Sequence, residues 1–401
     1  MPAFGRAMLQ HWLLDPEHTY LNHGTVGATP RRVLAVQQAL RDEMERHPSR
    51  FVLRELAGTM PAPWRTEPRL REAARAVASF IGSRPEDVVF VPNVTTGLNA
   101  VLQSLPFERG DELLITDLAY GAITLAAGFA ARERGATLRV VEMPFPVRSA
   151  AAVVETVGRA LTDRTRLVIV DHVTANSALI LPVADLVAAC HARGVPVLVD
   201  GAHAPGSIAL DVASLGADWY SANLHKWAHA PRSCGFLWAR ADRQAGLHHP
   251  VVSWGFEHGF RQEFEQNATL DPTSYLAAPE GIALLREWGW DTVRVYMHGL
   301  AWDAAALLTD RWGTRLDAPR DMIGAMVTVP LPEALGATGD EAARLRLALL
   351  VEDRVEVHLH AWKGRLWVRI SAQIYNDLSD VERLADAVQR RVPARERASL
   401  A

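Results

Sequence analysis

The chain has 401 residues, about half of them apolar, with 42 lysines and arginines against 46 acids and a formal net charge of −4. That length predicts a large domain plus a smaller one rather than a single core. So mild a charge gives no reason to expect nucleic acid or an anionic membrane as a partner, and two cysteines are too few for a disulfide framework or a cysteine zinc site.

Residues 1–15 carry no apolar run of signal-peptide length, and no stretch reaches the roughly 20 apolar residues of a membrane span. A cytoplasmic location is expected. From about residue 70 to 240, short apolar runs at 88–91, 113–116, 138–142, 167–170, 195–199, 219–221 and 235–238 alternate with helical patterns. One such pattern, 183–193, is opened by Pro182 and closed by Gly194. The alternation predicts βαβ units and a mainly parallel sheet with helices on both faces.

Beyond residue 240 the pattern changes. Residues 241–280 are rich in His, Gly, Trp and Pro and read as loop. Helices are expected at 279–288 and 292–311, then strands at 326–329, 355–359 and 366–370. A last helix at 380–391 follows the start signal Asp377-Leu378-Ser379-Asp380. The expected division is a large α/β domain over 21–264 and a small C-terminal α+β domain over 265–401. Residues 1–20 form an N-terminal segment that packs with the small one.

Only two lysines occur, Lys226 and Lys363, so chemistry that needs a deprotonatable amine has few candidates; arginine stays protonated. Lys226 lies in Asn223-Leu224-His225-Lys226-Trp227, just past an apolar run. Partial burial there would lower its pKa toward reactivity, although most lysines are solvated surface residues. Asp200 follows the buried run 195–199 directly and precedes the small Gly201 and Ala202, as if a ligand packed closely above. A carboxylate there can keep a heterocycle nitrogen protonated, or simply cap the next turn. Thr95 and Thr96 open a helix after the run 88–91, and a helix N-terminus with free amides suits a phosphate; Asn93 or Thr95 could equally be just a cap. In an open parallel sheet ligands bind at the carboxyl ends of the strands, where all three features fall. Lysine for an imine, acid for a pyridinium and helix terminus for a phosphate together fit pyridoxal 5′-phosphate.

These motifs resemble the class V aminotransferase group of fold-type I pyridoxal-phosphate enzymes, which includes cysteine desulfurases, and within it the branch containing isopenicillin N epimerase. The matching landmarks run from Tyr20-Leu21-Asn22-His23-Gly24 through Asp117–Tyr120, Asp200–His203 and Asn223–Trp227 to Gln266–Thr269 and Arg369. The resemblance implies that Lys226 carries the cofactor as a Schiff base and that Thr95 and Thr96 bind the phosphate with Asn223 and His225 nearby. It further implies Tyr120 over the ring, Asp200 on the pyridine nitrogen and His203 near the ring hydroxyl. Thr269 would reach the phosphate across a homodimer interface. Arg369 would clamp the substrate carboxylate with Asn22 and His23 close by; a surface ion pair is the plainer use of a strand arginine.

The substrate is expected to be an amino acid or related amine, a small molecule. The first expectation is an isopenicillin-N-epimerase-like enzyme acting at the α-carbon. A carbon–sulfur or other β-eliminating lyase is the alternative, a true aminotransferase comes third, and an inactive scaffold is the rival from another class. Lys226 is the expected base, and an epimerase needs a second protic group, for which His23, Tyr120 and His225 are the candidates. Desulfurases need a nucleophilic cysteine shortly before the carboxylate-binding arginine. Residues 357–364 hold none, so a persulfide-forming desulfurase is not expected. Nor is a metal: His358 and His360 share a strand face, and His248 adjoins His249, but no acid or cysteine completes either pair. They are expected to line a pocket or the surface.

Overall fold

The computed structural model describes residues 3–393 except 57, 59–62, 64–66 and 317. In chain order the strands are β1 (Thr19–Tyr20), β2 (Val88–Val91), β3 (Glu112–Thr116), β4 (Thr137–Val141), β5 (Thr165–Asp171) and β6 (Val197–Asp200). They continue with β7 (Trp219–Asn223), β8 (Gly235–Ala239), β9 (Met326–Pro330), β10 (Val355–Glu356), β11 (His358–Trp362) and β12 (Arg365–Ser371). Seven of them form the central sheet in the order β2-β8-β7-β6-β5-β3-β4. All its pairings are parallel except those of β8, which runs against both β2 and β7.

The strands read as continuous apolar runs because both faces are covered. Val168, Val170, Val197 and Val199 point into one core, whereas Leu167, Ile169 and Leu198 point into the other. The helices Val94–Ser104 and Gly121–Glu133 cover the second face; Arg69–Phe80, Ala150–Ala160, Val183–His191 and Ala278–Glu287 cover the first. This is the α/β fold expected, with its strand runs displaced by no more than two residues.

A separate core gathers β9, β11 and β12, an antiparallel three-stranded sheet, against the helices Trp290–Trp312, Gly339–Asp353 and Leu378–Gln389. The single strand expected over 355–359 divides at Val357. Residues 355–356 pair in parallel with β1, and 358–362 turn to pair with β12. The segment 241–280 is not all loop: Phe260–Glu265 and Thr273–Leu276 are short helices. Near the N-terminus, Gly5 N–H donates to Ile374 and Arg6 pairs with Asp380, while Trp12 is buried against Trp288 and Tyr375. No described helix is long and apolar enough to cross a membrane.

Candidate active site

The carboxyl ends of β5, β6 and β7 are in register, Asp171 beside Asp200 beside Ser221. Above them opens a cavity of about 360 Å³, closed on the far side by His358 of β11 and Arg369 of β12. The sheet geometry alone therefore brings Asp200, Asn223, His225 and Lys226 to one place, and β12 brings the arginine to meet them.

Lys226 sits on the turn that follows β7. The turn is gripped by close backbone contacts: a Cβ on Gly27 would lie 1.9 Å from the His225 carbonyl oxygen, and one on Gly206 would lie 2.3 Å from that of Trp227. Lys226 is half-buried, and its Nζ lies 3.2 Å from His203 Nε2. Desolvation, aided by the Arg369 charge, lowers the amine's pKa strongly, against the pull of Asp200. Lys363, by contrast, pairs with Glu142 at the surface.

Asp200 is 2% exposed. Its Oδ1 accepts from the Ala202 N–H at 2.9 Å, while Oδ2 is buried and has no hydrogen-bond partner. Burial pushes its pKa up, opposed by the Ala202 bond and by Lys226. An orphaned buried oxygen of this kind costs ~1–3 kcal/mol unless a ligand donates to it, and a pyridinium N–H is such a donor. Gly201 does not make room for a ligand, as its sequence context suggested. A Cβ there would strike the Tyr220 ring at 2.2 Å, so the glycine admits that ring, and Ala202 faces the cavity instead.

At the opposite end the helix Val94–Ser104 begins. Asn93 Oδ1 accepts from the Thr96 N–H at 3.0 Å and Asn223 Oδ1 from the Val94 N–H at 2.9 Å. Both asparagines thus cap the helix, and Thr95 is the hydroxyl residue left lining the cavity. Thr96, expected on the phosphate, is turned to Asn93, with Oγ1 donating at 3.3 Å. His225 lines the cavity and donates from Nδ1 to the Cys234 carbonyl at 2.9 Å, which leaves Nε2 as the free lone pair. Burial lowers its pKa to about 4. Tyr120 stands at the cavity edge, 48% exposed, at the start of Gly121–Glu133.

Arg369 is 3% exposed and has no carboxylate partner among the described residues. Its Nη1 donates to the Ala175 carbonyl at 2.6 Å and Nη2 to Thr25 Oγ1 at 2.8 Å, while Nε is buried and unpartnered. Burial lowers its pKa to about 10. A buried guanidinium that meets no carboxylate among the described residues is suited to receive one from a ligand.

Two residues expected beside the substrate stand behind the cavity wall. His23 does not face the cavity. It is fully buried behind Lys226, with Nε2 on the Lys226 carbonyl at 2.9 Å and Nδ1 on the Tyr375 hydroxyl at 2.8 Å. Burial lowers its pKa to about 4. Asn22 stands behind Arg369, its Oδ1 3.4 Å from Nη2 and its Nδ2 on Glu356 at 2.9 Å. Thr269, expected to serve the site of a second copy, is exposed and outside this chain's cavity.

Others were missed. Asp171 lines the cavity beside Asp200, its carboxyl pushed well up by burial and by Asp200. It follows a buried run just as Asp200 does, so the strand-end rule could have found it. Asn176 and Arg346 also line the cavity. His358 does too, with Nε2 3.2 Å from Asn176 Oδ1; pocket lining was one of its two expected places. No group of three or more metal-ligating side chains occurs among the described residues.

An acid and a half-buried lysine at neighbouring strand ends of this fold define a pyridoxal-phosphate enzyme of fold type I. The chain matches the Aminotransferase class-V family over residues 25–384 and belongs to it; its cofactor is pyridoxal 5′-phosphate. It is 31% identical to the probable chloroplastic L-cysteine desulfhydrase of Arabidopsis thaliana, covering 93% of this chain and 83% of that one. It is 33% identical to the isopenicillin N epimerase of Streptomyces clavuligerus, covering 94% and 95%. Among solved structures it resembles the cystine C–S lyase C-DES in complex with cysteine persulfide. There the TM-score is 0.77 at 22% identity, over 92% of this chain and 97% of that one.

Proposed function

We propose that this protein acts at the α-carbon of an amino acid, with Lys226 as both the anchor of the cofactor and the group that moves the α-proton. The observation that carries this reading is the pairing, in one cavity, of a desolvated lysine with a buried arginine that has no acid partner among the described residues. Bound pyridoxal phosphate supplies an electron sink for bonds broken at the α-carbon. Asp200 would hold the ring nitrogen through its orphaned Oδ2, and Thr95 with His225 would border the phosphate. Arg369 would take the substrate carboxylate with its free Nε edge. An amine held near neutrality by burial can both accept and return a proton near pH 7.

The reaction's second half decides between two readings. Epimerisation, the first, returns a proton to the opposite face and needs a further protic group. Tyr120 and His225 line the cavity and meet that need; His23, with both nitrogens engaged, does not. The chain's likeness to an isopenicillin N epimerase supports this reading. Carbon–sulfur β-elimination needs no group beyond Lys226 and a leaving group. The likeness to L-cysteine desulfhydrases supports that one.

Incubation in D₂O with amino acids, thioethers and sulfoxides separates the two. Deuterium at the α-carbon of both enantiomers without keto acid is the epimerase result; stoichiometric keto acid and ammonia is the lyase result. Keto acid that forms only with an amino acceptor would overturn both in favour of transamination.

A persulfide-forming desulfurase is disfavoured because Cys190 and Cys234 are both buried, and burial raises the Cys190 pKa to about 12. A homodimer that brings Thr269 to a second copy's phosphate is supported by the exposed Val252, Trp254 and Leu270 in the same segment. We place the boundary between the large and small domains near residue 265 and the protein in the cytoplasm.

A further inference from the structure

We propose that Trp227 is a positioning residue that fixes the proton of His203 on Nε2, making that histidine an obligate donor at the Lys226 end of the cavity. The indole N–H can only donate, and it points at His203 Nδ1 at 3.4 Å. Nδ1 must therefore present its lone pair. A neutral imidazole carries one N–H, so the proton resides on Nε2, which faces Lys226 Nζ at 3.2 Å. The neighbours agree with a neutral ring. Burial and the charges of Lys226 and Arg369 lower the His203 pKa well below its ordinary value, and the same burial leaves Lys226 an amine able to accept.

Trp227 cannot turn away from this duty. It is 1% exposed, its ring lies 5.0 Å from that of His23, and Gly206 packs so close that a Cβ there would lie 2.3 Å from the Trp227 carbonyl oxygen. On the far side a Cβ on Gly24 would already come within 3.3 Å of the indole. The large side chain next to the lysine thus does more than fill the core. It decides which way a buried histidine offers its hydrogen bond. Two consequences follow for the reaction. His203 donates to whatever atom lies against Nε2, whether the lysine amine or an oxygen of the bound cofactor. It also cannot be the second base of an epimerase, because its one lone pair is held by the indole.

The inference rests on the assignment of Lys226 and His203 to the cofactor site, and its test does not depend on turnover. Neutron diffraction from deuterium-exchanged crystals of the holoenzyme locates the proton directly. The expected map has a deuteron on His203 Nε2, none on Nδ1, and the Trp227 N–D directed at Nδ1. A deuteron on Nδ1, or on both nitrogens, overturns the proposal. Kinetics give a second reading through Trp227→Phe, which keeps an aromatic ring and removes the donor. Turnover should fall about tenfold, the worth of one buried hydrogen bond, with KM little changed. His203→Gln should lose a similar factor, and the double variant should be no worse than the worse single one. Losses that multiply would mean that Trp227 and His203 act separately, which contradicts the proposal. If Trp227→Phe does not fold, the neutron map alone decides.

Discussion

Replacing Gly27 by alanine tests whether the Lys226 turn is held as tightly as its contacts indicate. The new Cβ would lie 1.9 Å from the His225 carbonyl oxygen and 3.1 Å from the Lys226 Cα. Ordinary non-bonded contact is at about 3.5 Å, so the two backbones must part by more than about 1 Å. The φ of +69° with ψ of 163° at Gly27 lies in a region kept almost entirely for glycine and adds ~1–3 kcal/mol for an L side chain. Gly194→Ala supplies the control, since its φ of +71° is nearly the same but nothing lies within 4 Å of its Cβ position. Urea unfolding and turnover should be measured on both holoenzymes. Gly194→Ala should lose about 1–2 kcal/mol of stability and keep its turnover. Gly27→Ala should lose more stability, and its turnover should fall on the order of 100-fold, the effect of misplacing a reacting group by about 1 Å. If the two variants behave alike, the Gly27 contact does not position Lys226.

Asp200→Asn should retain cofactor but lose about 10- to 100-fold in turnover, because a charge-assisted hydrogen bond to the ring nitrogen becomes a neutral one; wild-type rates would reduce Asp200 to a loop cap. Arg369→Ala should raise KM for carboxylate substrates, and Arg369→Lys should rescue it only in part, since lysine lacks the planar fork. Normal kinetics in both would place the carboxylate elsewhere. The fold should also weaken in acid. His23 and His172 are buried and neutral, their pKa values lowered from 6.5 to about 4 by desolvation. Between those values the unfolded chain binds protons that the folded chain refuses. Stability is therefore intact above about 6.5 and falls as pH drops toward about 4, by on the order of 3 kcal/mol per histidine. Urea midpoints across that window should fall, and His172→Gln should make the slope shallower; a flat profile would contradict the burial of these rings.

The sheet was legible because parallel strands buried on both faces leave unbroken apolar runs such as Val197–Val199, a pattern that neither an amphipathic helix nor a half-buried strand produces. The helix Gly339–Asp353 was not, because Leu347 and Val351 are exposed among its charges and blur the apolar stripe that would announce it. The division at Val357 was hidden for a related reason. Val355–Glu356 and His358–Trp362 belong to different sheets but form one stretch of strand-like residues. In the site, the strand-end rule, which depends on topology, placed Asp200 and Lys226 together, and both line one cavity. It gave no side-chain directions. His23 was therefore placed beside the cofactor when its ring points into the core, and Thr96 was read as a ligand group when it serves the helix cap.

The central claim is that Lys226 carries the cofactor, and one measurement addresses it directly. The holoenzyme is reduced with borohydride, digested and mapped for the modified lysine, with Lys226→Ala treated in parallel. With two lysines in the chain, the outcomes are few. The account predicts the reduced adduct on Lys226 and no trapped cofactor in Lys226→Ala. An adduct on Lys363, or undiminished trapping in the variant, would contradict it.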